Sequence, residues 1–236
     1  MARRPRKMKF ANAAAFLQAV RQVGGVSAAR AMRRRLSKEL IASGAVEVRD
    51  LGLMMVAEGH KWLGYEILSD RTDVLEALTR TQVEALGDGL SDWGGIDAYS
   101  VLLAGPAWKC GVLSNNDMLR WTRSDSFWRR RAALVATVAW NARSRGGTGD
   151  TTRTLMVCEQ LVNDRHEMVV KALSWALRAL VPWDRPAVHA FIAAHESVLA
   201  ARVKREVRNK LDTGRKSGKK SCPSASQAWR SSSTRR

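Results

Sequence analysis

Residues 168–180 read MVVKALSWALRAL, and this run decides the fold class. Val169, Leu173, Ala176 and Leu180 fall on one line of a helix that turns about 100° per residue. By the same rotation Trp175 lies about 120° from Val169 and within about 60° of Lys171 and Arg178. A large indole therefore shares the basic face, not the apolar stripe. An aromatic ring interleaved with lysine and arginine suits the sugars and phosphates of a nucleic acid. Packing of the indole beneath a neighbouring helix is the structural alternative.

The apolar spacing of this run recurs along the chain. It predicts helices over residues 9–22, 27–42, 46–58, 60–69, 71–79, 81–90, 96–104, 115–123, 127–142, 150–163, 166–180, 186–194 and 198–211. Breakers stand between them at Gly24-Gly25, Ser43-Gly44, Gly105-Pro106, Gly146-Gly147 and Pro182. No β-branched segment alternates with polar residues for long enough to suggest a sheet. Many helices of similar length with short connections predict an all-α protein of stacked, HEAT-like pairs, an α-solenoid, with a closed bundle as the alternative.

A second run, SDSFWRRRAALVATVAW, aligns Trp128, Ala132, Val135 and Ala139 as its buried line. Arg130 points nearly opposite that line and Arg129 to one side. Arg131 lies about 60° from Trp128, where its stem can follow apolar surface and its guanidinium can reach a groove edge.

Charge sharpens the functional reading. The net charge is +18, and it is uneven. Residues 1–40 hold eleven Lys/Arg against one Glu, and residues 201–236 hold twelve against Glu206 and Asp212. The body between them is balanced. Such a field favours a polyanion, nucleic acid before membrane surface. Residues 213–236, rich in Ser, Lys and Arg, read as a basic disordered tail after a domain over 1–212. No apolar run is long enough for a membrane span, and the start lacks a convincing secretory signal. Cys110, Cys158 and Cys222 are odd in number and widely spaced, which predicts reduced thiols and a cytoplasmic protein; with a polyanion as partner, it is expected to be nucleoid-associated.

Other candidates are weaker. RSRGGTGD, residues 143–150, lacks the ending of a nucleotide-binding loop and reads as a connection, with Arg143 and Arg145 as backbone contacts. His60, His166, His189 and His195 are dispersed, so neither a metal nor a cofactor is expected. Trp62, Trp108, Trp121 and Trp140 are assigned to the core. The last helix sets Leu199, Val203, Val207 and Leu211 against Arg202, Lys204, Arg205 and Arg208, which could track phosphates or form a solvated face.

Four motifs occur in order: Trp93-x-x-x-Asp97, WTRSDSFWRRRAAL from Trp121, MVVKALSWALRAL from Met168, and LAARVKREVRNKL from Leu199. Together, over residues 45–212, they resemble the DNA alkylation repair family, the AlkD-like glycosylases built from HEAT-like repeats. The first 40 residues match that family weakly.

The resemblance implies an alkylpurine glycosylase that acts on 3-methyladenine and 7-methylguanine in duplex DNA, in base-excision repair. It implies a concave basic groove around the DNA. Asp97 matches the catalytic carboxylate, Trp93 and Trp175 the aromatic pair flanking the sugar, and Arg131 the arginine of the same site. The enzyme is expected to be monofunctional and monomeric, with Arg129, Arg143, Arg145, Lys171, Arg178, Arg202, Lys204, Arg205 and Arg208 toward DNA. Gly94 and Gly95 are expected to loosen the catalytic segment. A non-catalytic HEAT-like module that binds nucleic acid or protein is the alternative.

Overall fold

Gly105 and Pro106 do not break the chain: they lie within a continuous helical stretch at the centre of the molecule. The computed structural model describes residues 26–217 together with Gln18. The expected helix over 9–22 apart from Gln18, the Gly24-Gly25 break, Cys222 and the basic tail beyond residue 217 lie outside the described residues.

In chain order the helices are α1 (Val26–Glu39), α2 (Ala45–Ala57), α3 (Lys61–Ser69), α4 (Thr72–Glu76), α5 (Arg80–Ala85) and α6 (Trp93–Tyr99). A π-helical turn, Ser100–Ala104, joins α6 to α7 (Gly105–Lys109). Then follow α8 (Asn115–Thr122), α9 (Phe127–Ala136), α10 (Val138–Asn141), α11 (Thr151–Glu159), α12 (Glu167–Leu180), α13 (Arg185–Ala194) and α14 (Ala201–Thr213). No strand occurs among the described residues. The architecture is all-helical and consistent with an α-solenoid: α2 packs on α3, α8 on α9, α9 on α12, and α12 on α14.

Local chemistry sets the helix starts. Thr79 and Gln82 form a reciprocal capping box at α5, and Ser114 and Asp117 another at α8. Asp92, Asp150 and Asp184 each accept a backbone N–H three residues on, opening α6, α11 and α13. The expected stops at Ser43-Gly44, Gly146-Gly147 and Pro182 all fall between helices.

Two expectations need correction. A Cβ on Gly105 would stand 2.4 Å from the Ala139 Cβ and 2.8 Å from the Ala136 carbonyl, so this glycine permits close approach of α7 to α9 and α10. Pro106 sits at the first turn of α7, where its missing N–H is tolerated. The single helix expected over 127–142 divides at Thr137. Its hydroxyl donates to the Leu134 carbonyl (2.6 Å), and its own amide bonds the same oxygen, which tightens the turn.

The core is continuous from Leu36 to Leu211. At its centre α9 contributes Ala132, Ala133 and Ala136, and α12 contributes Ala172 and Ala176, all buried. These short side chains let the two helices approach closely. That approach carries Arg131 to α6 on one side and the Met168 carbonyl on the other. No described helix is long and apolar enough to cross a membrane.

Candidate functional site

α6 begins with Asp92, whose carboxylate accepts the Gly95 amide (2.8 Å). A Cβ on Gly95 would lie 2.8 Å from Asp92 Oδ2, and one on Gly94 3.2 Å from Oδ1. Both glycines therefore make room for the capping carboxylate, so the segment is an anchored first turn and not a loosened one. Ile96 and Tyr99 point into the core. Asp97 stands beside them at the wall of a cleft, with a side chain 16 % exposed.

Arg131 comes to Asp97 from α9. Its Nε donates to Oδ1 (2.9 Å) and its Nη2 to Oδ2 (2.8 Å), while Nη1 donates to the Met168 carbonyl at the start of α12 (2.6 Å). The arginine side chain is 6 % exposed. The expected reach to a groove edge is replaced by this fork, because the carboxylate and the carbonyl take all three sides of the guanidinium. Burial raises the Asp97 pKa above the ordinary carboxylate value; the hydrogen bonds and charge of Arg131 oppose that rise, and Asp92 adds to it.

The cleft has a volume of about 600 Å³. Asp97 and Trp175 both line it, as do Arg143, Arg145 and Arg178. Among the lining residues that the sequence did not assign to a site, three carry large aromatic or charged side chains. Trp62, expected in the core, stands at the cleft with Arg30 5.8 Å from its ring centroid. Trp183 follows the end of α12, with Arg143 4.9 Å from its ring and its Nε1 donating to the Asn141 carbonyl (2.8 Å). Lys210 reaches in from α14 and donates to the Gly214 carbonyl (2.6 Å). The available signal was an aromatic residue just past a helix stop, Pro182-Trp183, but nothing in the spacing says which way it faces.

Trp93 shares the Asp97 face of α6, yet it is 63 % exposed and does not line the cleft. The remaining basic candidates lie elsewhere or are held within the fold. Arg129 pairs with Asp88 and covers the Trp121 ring at 4.9 Å. Lys171 pairs with Glu167 (2.7 Å), and Arg202 lies 3.5 Å from both Glu167 and Glu206. Lys204 and Arg208 both pair with Glu196. Arg178 donates to Ser174 Oγ (3.2 Å) and lies 3.7 Å from the buried Glu206. Arg205 is exposed. Arg130, outside the expected set, ties Asp164 (2.7 Å) to the carbonyls of Ser124 and Asp125.

Among the described residues no three His, Cys, Asp or Glu side chains are placed to hold a metal. One carboxylate, held at both oxygens and drawn partly out of water in a cleft that an indole also lines, can oppose a positive charge that develops there. A family model described as DNA alkylation repair enzyme matches residues 13–211. No curated protein and no solved structure gives a match.

Proposed function

The chain belongs to the DNA alkylation repair enzyme family, and on that premise we propose that it is a monofunctional DNA glycosylase. It hydrolyses the N-glycosidic bond of alkylated purines, 3-methyladenine and 7-methylguanine, in duplex DNA. The observation that carries this reading is Asp97 in one cleft with Trp175, its carboxylate held by the Arg131 fork.

The chemistry needs only one such group. Ordinary glycosides require a second carboxyl group to protonate the leaving oxygen. An N3- or N7-alkylated purine already carries a positive charge, so the bonding pair leaves with the base and neutralises it. Water supplies the new bond at C1′ and releases a proton. Asp97 stabilises the cationic sugar and orients that water, and it does so more strongly because burial has removed competing solvent. The face of Trp175 in the cleft adds cation–π attraction to the same charge. Arg131 is a positioning residue: it fixes the carboxylate and opposes the rise in its pKa that burial causes.

Arg143, Arg145 and Lys210 along the cleft would meet the DNA backbone. The test is chromatography of bases freed from methylated duplex DNA. Release of 7-methylguanine by the wild type and none by Asp97→Asn supports the reading.

One observation favours the non-catalytic alternative. A buried, bidentate pair is also what purely structural arginines make. On that reading the protein binds DNA without releasing any base, and Asp97→Asn lowers thermal stability alone.

A further inference from the structure

A second polar cavity, of about 430 Å³, adjoins the cleft: Val101, Leu102, Ser144 and Arg145 line both. Its charges are unequally matched. Arg33 serves both carboxylates there, with Nε 2.8 Å from Glu66 and Nη1 2.7 Å from Asp70. Arg145, 42 % exposed, stands at the far limit of ion pairing with Glu66, 4.0 Å away. Lys109, the last residue of α7, has no carboxylate partner among the described residues; its ammonium lies 5.5 Å from the centroid of the Trp140 ring.

We infer that this cavity is a phosphate subsite, in which Lys109 and Arg145 take a backbone phosphate of the DNA lying in the adjoining cleft. The subsite rests on DNA as the partner, not on base hydrolysis. A half-buried cation facing only a π-cloud is incompletely compensated. Burial alone moves the Lys109 pKa, and it moves it down. An anion entering the cavity would oppose that shift and favour the charged form. Ser144 lines the same cavity, and its hydroxyl is a further donor for such an anion. Arg145 spans both spaces, so a strand leaving the cleft meets the second cavity through it. Lys109 becomes a DNA contact that no pattern in the sequence marked.

The experiment uses the full chain and undamaged duplex DNA, so that base release plays no part. Affinity is measured against salt concentration for the wild type, Lys109→Met and Lys109→Arg. Lys109→Met should bind about tenfold more weakly near 0.1 M salt, and its log–log salt slope should be shallower by roughly one. Lys109→Arg should stay close to the wild type. An unchanged slope in a folded Lys109→Met protein overturns the proposal, whether or not the wild type releases methylated bases.

Should Lys109→Met fail to fold, acetic anhydride labelling of the wild type reads the same contact by mass spectrometry. DNA should slow acetylation of Lys109. No protection by DNA, or protection by inorganic phosphate but not by DNA, overturns the assignment to the DNA backbone.

Discussion

Replacing Asp97 by Asn keeps the side chain's shape and removes its negative charge. Loss of one electrostatic contact of this kind costs on the order of 10² to 10³ in rate, and a carboxylate removed from a cleft facing phosphates relieves repulsion. Asp97→Asn should therefore lose 7-methylguanine release to at least that extent while binding DNA as well as the wild type or slightly better. Base release and fluorescence anisotropy measure the two separately. Arg131→Gln gives a different signature. On the proposed mechanism the reactive form is the carboxylate, so activity should fall as pH falls through the raised Asp97 pKa. Arg131 is the group that opposes the rise. Removing it should push the acid limb of the pH–rate profile to higher pH, beyond any fall in the plateau. An acid limb that stays in place would show that Arg131 does not control Asp97.

At the scale of elements, the junction of α7 with α9 and α10 is sensitive to volume. Alanine is worth about 1 kcal/mol over glycine in a helix interior, so propensity alone predicts that Gly105→Ala stabilises. The new Cβ would stand 2.4 Å from one Cβ and 2.8 Å from a backbone carbonyl, neither of which can rotate away. Overpacking costs about 1 to 3 kcal/mol, and backbone contact places this case at the upper end. Gly105→Ala should lower the thermal midpoint in a calorimetric scan. A rise would mean that the junction yields. The same junction carries the π-helical turn Ser100–Ala104, where the buried Ser100 hydroxyl donates to the Ile96 carbonyl (2.7 Å). Packing at α7 is thereby coupled to the helix that holds Asp97.

At the scale of the whole molecule, the uneven positive charge predicts a salt-dependent affinity for DNA. Residues 213–236 carry seven Lys/Arg and no acidic residue. Their removal should weaken binding to any duplex and flatten the salt dependence, because fewer counterions are released. Preference for methylated over undamaged DNA should hardly change, since Asp97 and Trp175 remain. Titrations of the truncated and full-length chains over a range of salt would show this. Equal slopes would mean that the excess charge at this end does not meet the phosphates.

The sequence by itself determined that the chain is helical and where most helices begin and stop. Periodicity is a property of neighbouring residues, and Asp92, Ser114 and Asp150 cap within three residues of themselves. It also placed Trp175 off the apolar stripe of α12, and the family motifs singled out Asp97. Tertiary structure decided everything that depends on what faces a helix from elsewhere. Gly105 reads as a breaker until Ala139 lies against it, and Arg131 reads as a groove-edge cation until Asp97 and the Met168 carbonyl close around its fork. Trp62 and Trp183 join the cleft, and Lys109 faces a ring instead of a carboxylate. The hydrogen-bond partners of Arg131 and Trp183 lie 34 to 42 positions away: Asp97 (34) and Met168 (37) for Arg131, Asn141 (42) for Trp183. No local spacing records such a meeting, because only the packing of α6, α9 and α12 brings it about.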